Sequence, residues 1–189
     1  MSKKSSRRIE VFNWTIALLL ICCSADIDVW AVEASKQIRA VRAKTPLRID
    51  GRLDDAAWNL APFVGDFIQR NPLEGAPAVE RTEVAFVYDD AALYVGARMY
   101  SDAAGEIRAL ITRRDRESSS EQLIVSLDTY LDRRTAYSFG VTAAGVRLDY
   151  LHPEDDGEAR DYSYDPVWEA ATQRDAQEGW TAEMRIPFS

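Results

Sequence analysis

From Ile38 onward, apolar and polar residues alternate in short runs broken by turn-forming residues, which is the period of half-buried strands. Val84, Phe86 and Tyr88 share one face of a run, and Leu93, Val95, Ala97 and Met99 share one face of the next. Asp89 and Asp90 lie between them, so the pattern predicts a hairpin closed at these acids. Further runs group Leu123, Val125 and Leu127; Tyr137, Phe139 and Val141; Val146, Leu148 and Tyr150; Trp168, Ala170 and Thr172; and Trp180, Ala182, Met184 and Ile186. Asp132-Arg133-Arg134, Ala144-Gly145 and Glu178-Gly179 read as the turns between them. Strands recurring about every ten residues, with no helices alternating between them, predict an all-β fold, an antiparallel β-sandwich.

Two segments depart from this period. In residues 54–60, Leu53, Ala57, Trp58 and Ala61 fall at helical spacing, which predicts one short helix near the N-terminus, capped by Asp54 and turning Trp58 inward. Residues 113–121 are charged and serine-rich and read as a loop. Trp58 and Trp180 are assigned to the core, and Asp50-Gly51 and Asp89-Asp90 to turns.

The start of the chain differs in kind. Lys3, Lys4, Arg7 and Arg8 precede an apolar stretch over residues 14–23, too short for a helix to cross a hydrocarbon layer of roughly 30 Å. Residues 1–34 therefore read as a signal peptide, with Val32-Glu33-Ala34 placing small residues at the cleavage positions before Ser35. The surroundings of Arg7-Arg8 fit a twin-arginine signal poorly, and bulky Ile21 before Cys22 argues against a lipoprotein signal. The expected location is outside the cytoplasm: periplasm, outer membrane or extracellular space. Both cysteines fall inside this leader, so residues 35–189 are expected to hold neither a disulfide nor a thiolate metal site. Those residues suffice for one domain with its own core. The chain stops directly after a predicted strand, and we expect the sandwich to be truncated at its C-terminus.

Charge removes a class of partner. Lys and Arg total 23 against 31 Asp and Glu, a net charge of -8, which repels a phosphate backbone. Nucleic acid is excluded as the expected partner.

The order of motifs carries a resemblance. Ile49-Asp50-Gly51-Arg52-Leu53-Asp54-Asp55-Ala56-Ala57-Trp58, then Thr82-Glu83-Val84-Ala85-Phe86-Val87-Tyr88-Asp89-Asp90 leading into Ala92-Leu93-Tyr94-Val95-Gly96, resembles the opening of family 9 carbohydrate-binding modules. Leu127-Asp128-Thr129-Tyr130, Tyr137-Ser138-Phe139, and Gly179-Trp180-Thr181-Ala182-Glu183 with Ile186-Pro187-Phe188 are similar to the subgroup fused to a large C-terminal domain of outer-membrane barrel type. The resemblance implies a jelly-roll-like sandwich, often with bound calcium, that grips sugar ends between aromatic rings. It also implies a poly- or oligosaccharide partner, a downstream domain of the same chain, and a role in carbohydrate catabolism at the cell envelope. The chain departs from the pattern at Ser118-Ser119-Ser120-Glu121-Gln122, where xylan-binding relatives carry a tryptophan and several acids, so one half of the aromatic clamp is missing.

Sugar recognition needs flat rings against C–H faces and polar groups for hydroxyls. Residues 155–168 are the richest such stretch, with Tyr162, Tyr164 and Trp168 among four aspartates; Tyr130 beside Asp128 and Asp132 is a further candidate. Core packing is the competing reading for Trp168, which alternates with Ala170 and Thr172. No cofactor is indicated with certainty; Asp155, Asp156 and Asp161 are the candidate oxygen ligands for calcium, set against a plain solvated loop. His152 is the only histidine, which leaves a zinc site or a Ser-His-Asp triad little to build on. No catalytic residue is identified. Two alternatives to a non-catalytic sugar-binding module stay open: an accessory extracytoplasmic domain that does not bind sugar, and part of an exported glycoside hydrolase acting on O-glycosyl bonds.

Overall fold

In the computed structural model the described residues are 36–101, 107–153, 159–175 and 178–188; the expected signal peptide lies outside them. Eight strands form two sheets: β1 (Val41–Arg42), β2 (Thr82–Tyr88), β3 (Ala92–Tyr100), β4 (Gln122–Leu127), β5 (Ala136–Thr142), β6 (Arg147–His152), β7 (Glu169–Asp175) and β8 (Gly179–Pro187). One sheet runs β1-β2-β3-β8-β7 and the other β4-β5-β6. Among the described residues only the short β1–β2 pair is parallel, so the architecture is the all-β sandwich that the alternation predicts.

The β2–β3 hairpin forms where expected. Asp89 Oδ1 accepts the N–H groups of Ala91 and Ala92 at 2.8 and 2.9 Å, an Asx-type closure that satisfies the turn with a side chain. Val84, Phe86, Leu93, Val95, Ala97 and Met99 then point at the smaller sheet and meet Phe139, Val141, Trp180, Ala182, Met184 and Ile186 in the inter-sheet core. The opposite face of the larger sheet carries Ala85, Val87, Ala92 and Tyr94, and residues 41–63 cover it, burying Trp58 at 2% exposure.

Trp58 turns inward as expected, but the predicted helix does not form. Trp58 N donates to Asp55 O at 3.0 Å and Leu60 N to Ala57 O at 3.2 Å, giving three-residue steps in place of four. The Asp55 carboxylate is taken by Arg48 N at 2.8 Å. The chain is drawn instead onto the sheet, where Gly51 (φ 85) passes so close to β7 that a Cβ would lie 2.7 Å from Thr172 C.

The smaller sheet differs from its alternation in one respect. Leu148 and Tyr150 are buried, yet their register with Gly140 and Ser138 places them on the face away from the larger sheet. Asp149, paired with Phe139, takes the inward position. Both faces of this sheet are covered, so alternation alone does not reveal which one meets the core.

Candidate functional site

β6 is an edge strand of the smaller sheet, and the segment that follows it wraps that edge. Leu151 and Asp161 exchange two backbone hydrogen bonds, at 3.1 and 2.8 Å, which turns the chain back beside the strand. Tyr162 packs on the outer face, 5.4 Å from the Tyr150 ring. Two residues later Tyr164 has crossed to the inner face, 5.0 Å from Tyr137 and 6.3 Å from Phe139. The sequence-predicted aromatics therefore straddle a strand and do not form one surface.

On the inner side the rings form a descending series. Tyr130, 70% exposed, lies with its hydroxyl near that of Tyr137, and this neighbour holds the Tyr137 phenol above its ordinary range. Tyr137 meets Tyr164, and Phe139 meets Trp168 edge-on at 5.4 Å. Burial raises the Tyr164 phenol, with Tyr137 and Asp149 adding to the effect. Trp168 itself is a core residue: it is 1% exposed and its Nε1 donates to Asp149 Oδ1 at 3.0 Å. Its ring has no face open to a sugar, so packing accounts for this candidate. Tyr130, Tyr137 and Tyr164 remain as the rings gathered at one end of the sheet.

A polar cluster lies beneath them. Asp149 is fully buried, and its Oδ1 accepts from Arg114 Nε at 3.0 Å and Nη2 at 2.7 Å. Arg114 also donates to Pro166 O at 2.9 Å and pairs with Asp165 at 2.8 Å, which ties the aromatic segment to the 113–117 loop. Asp149 Oδ2 is buried without a partner among the described residues. Asp115, which accepts from Asp149 N at 2.9 Å, is raised by burial more than its own hydrogen bond lowers it. On the outer side Glu117 repeats the tie, accepting from Tyr162 Oη at 3.1 Å and pairing with Arg160, whose guanidinium lies 5.0 Å from the Tyr150 ring centre. The sequence reading missed Arg114, Glu117 and Asp149. An acid between Leu148 and Tyr150 in a strand was the available signal, but alternation reads it as solvent-facing.

The other sequence candidates are placed as follows. Asp128 accepts Asp132 N and Arg133 N at 3.2 and 2.8 Å, and Asp132 accepts Arg134 N and Thr135 N at 2.7 and 2.9 Å. Both carboxylates beside Tyr130 therefore close a turn. Asp161 is exposed and accepts Ser163 N at 2.9 Å; Asp155 and Asp156 lie outside the described residues. Among the described residues no group of three or more His, Cys, Asp or Glu side chains is placed to hold a metal ion. His152 ends β6 with Nδ1 3.1 Å from Ala159 O, a loop-anchoring role.

No family model matches the chain, and no curated protein does. Solved structures do. A family 9 carbohydrate-binding module from Caldicellulosiruptor kristjanssonii in complex with cellotriose is 19% identical, with a TM-score of 0.56 over 82% of this chain and 68% of that one. The same organism's module in complex with glucose gives 19% identity and 0.55 over 81% and 70%. A proposed carbohydrate-binding protein from Bacteroides uniformis gives 12% identity and 0.59 over 79% and 72%. At these identities the likeness concerns architecture: the described residues have the two-sheet sandwich fold of the family 9 carbohydrate-binding modules.

Proposed function

We propose that this chain is a non-catalytic carbohydrate-binding module of an exported cell-envelope protein. The observation that carries the reading is the shared fold, since two of the similar structures are family 9 modules in complex with cellotriose and with glucose. The exposed Tyr130, backed by Tyr137 and Tyr164, supplies the apolar ring surface that sugar C–H faces require, and Asp165 and Arg114 lie alongside for hydroxyls. Export rests on the basic start and short apolar stretch of residues 1–34. A periplasmic, outer-membrane or extracellular place, and a downstream barrel-like domain serving carbohydrate catabolism, rest on the motif resemblance.

A second reading has an observation in its favour. Trp168, the strongest platform in the sequence, is buried, as a sandwich that packs on a partner without binding sugar would allow. Calorimetric titration with cellotriose, glucose and xylotriose, with calcium and with chelator, decides between them. Saturable binding that weakens about tenfold or more in Tyr130→Ala, with unfolding unchanged, supports the module. Absence of saturable heat across the set, with and without calcium, leaves the accessory domain as the function.

A further inference from the structure

Residues 113–117 hold the tyrosine segment, residues 159–166, from both sides of β6. Asp115 N donates to Arg147 O at 3.3 Å and Asp149 N donates to Asp115 Oδ1 at 2.9 Å, which seats the loop against the strand. From there Arg114 reaches the inner side of the segment, donating to Pro166 O at 2.9 Å and pairing with Asp165 at 2.8 Å. Glu117 holds the outer side through Tyr162 and Arg160. Where the loop sits therefore decides how Tyr164 stands against Tyr137.

Charge in this joint does not balance. One guanidinium, Arg114, is shared by three carboxylates: Asp149 at 2.7 Å, Asp165 at 2.8 Å and Asp115 at 3.7 Å. The Arg147 guanidinium is taken by Trp168 O and that of Arg160 by Glu117, while Arg113 and Arg116 are exposed. Asp149 is fully buried and its Oδ2 has no partner among the described residues. Asp115 is half-buried and Asp165 is exposed. Neighbouring carboxylates shielded from water do not both ionise freely, and hydrogen bonds to the charged form decide which gives way. Asp149 Oδ1 takes three donors, Arg114 Nε and Nη2 and Trp168 Nε1, whereas Asp115 takes the one backbone N–H of Asp149. The proton therefore goes to Asp115. Burial, with Asp149 and Asp165 adding to it, holds this carboxyl above its ordinary range against the pull of the Asp149 N–H and Arg114. With the folded-state value raised, the joint is complete in acid and weakens as pH rises through that value, because ionised Asp115 places a further charge beside Asp149.

We propose that Asp115 is a proton-operated latch on the tyrosine segment: protonated, it seats the 113–117 loop on β6 and fixes Tyr164; ionised, it loosens both, so that saccharide is held more tightly in mild acid than at neutral pH. The binding half rests on the tyrosine site proposed above, and the seating half does not. Hydrogen exchange and calorimetry on the full chain, as wild type and Asp115→Asn, test the halves separately. Asparagine keeps an acceptor for Asp149 N and does not ionise, so it stands for the protonated form. In the wild type, protection of the Leu151 and Asp161 amides, corrected for intrinsic rate, is expected to fall about threefold or more from about pH 4.5 to about pH 7.5, and in Asp115→Asn to stay level. Cellotriose should follow, bound about threefold or more tighter by the variant than by the wild type at about pH 7.5 and equally at about pH 4.5. Protection that stays level in both proteins, or falls equally in both, overturns the latch. Equal cellotriose affinities at both pH values, beside protection that falls only in the wild type, overturn the link to the site. Absence of cellotriose binding beside that same fall in protection supports the latch and overturns the tyrosine site.

Discussion

The indole Nε1 of Trp58 donates to Oε1 of Glu183 at 2.8 Å, joining two residues 125 positions apart in the chain. The other carboxylate oxygen of Glu183 accepts Asp50 N at 2.9 Å and Gly51 N at 2.8 Å. One buried side chain on β8 thus fixes the turn and the tryptophan of the N-terminal segment over the outer face of the larger sheet. Two of the sequence stretches that carry the family resemblance meet in this contact.

Glu183→Ala is therefore expected to destabilise the protein by about 3 kcal/mol, because it leaves three buried donors without an acceptor and opens a cavity. Urea unfolding at neutral pH measures this. A loss within about 1 kcal/mol would mean that water or another group replaces the carboxylate.

The same residue sets a pH dependence. Burial pushes the Glu183 carboxyl above the ordinary carboxylate range, and the donors from Asp50, Trp58 and Gly51 pull it down only in part. A folded-state value above the unfolded one gives a contribution that is complete below the unfolded value and is lost as pH rises through the folded one. The stability of the wild type relative to Glu183→Gln should therefore fall as pH rises above the ordinary glutamate value of about 4. Unfolding series on both proteins give the slope, and a difference that grows with pH contradicts the assignment.

Arg114 and Asp149 invite a paired test. Asp149 is fully buried, so removing Arg114 strands a carboxylate in the interior, at a cost of about 3 to 5 kcal/mol. Arg114→Met should show this loss, and adding Asp149→Asn should recover roughly half of it or more by neutralising the stranded group while keeping an acceptor for Trp168. A double variant no more stable than Arg114→Met would show that the guanidinium acts through Asp165 and Pro166 and not through Asp149.

These contacts mark how far the sequence could be read. The β2–β3 hairpin, the sandwich class and the burial of Trp58 and Trp180 follow from short-range alternation and turn chemistry, which local sequence encodes. Residues 54–60 read as a helix because spacing reports a buried Trp58 but not the hydrogen bonds to Asp55 O and Ala57 O that replace helical ones. Trp168 kept two readings because alternation with Ala170 is compatible with either face. Arg114 with Asp149, and Glu183 with Trp58, depend on partners 35 and 125 residues away, and no local pattern announces such pairs.

The edge of β4 carries the last expectation. Its register with β5 and the bond from Ala143 N to Glu121 O turn the backbone groups of Leu123, Val125 and Leu127 toward β5, so those of Ile124 and Ser126 point away from the sheet. They have no backbone partner among the described residues. The strand reads Gln-Leu-Ile-Val-Ser-Leu, without the Lys or Pro that protects an edge, and Leu123, Val125 and Leu127 are only half-buried. An open, apolar edge of this kind pairs with another strand, so residues 35–189 alone should self-associate as concentration rises. Ile124→Lys places a charge at the edge while leaving the inward side chains in place, and it should hold the protein monomeric without loss of unfolding free energy beyond about 1 kcal/mol. Sedimentation across a concentration series separates the outcomes: association that persists unchanged in Ile124→Lys would place the contact elsewhere on the molecule.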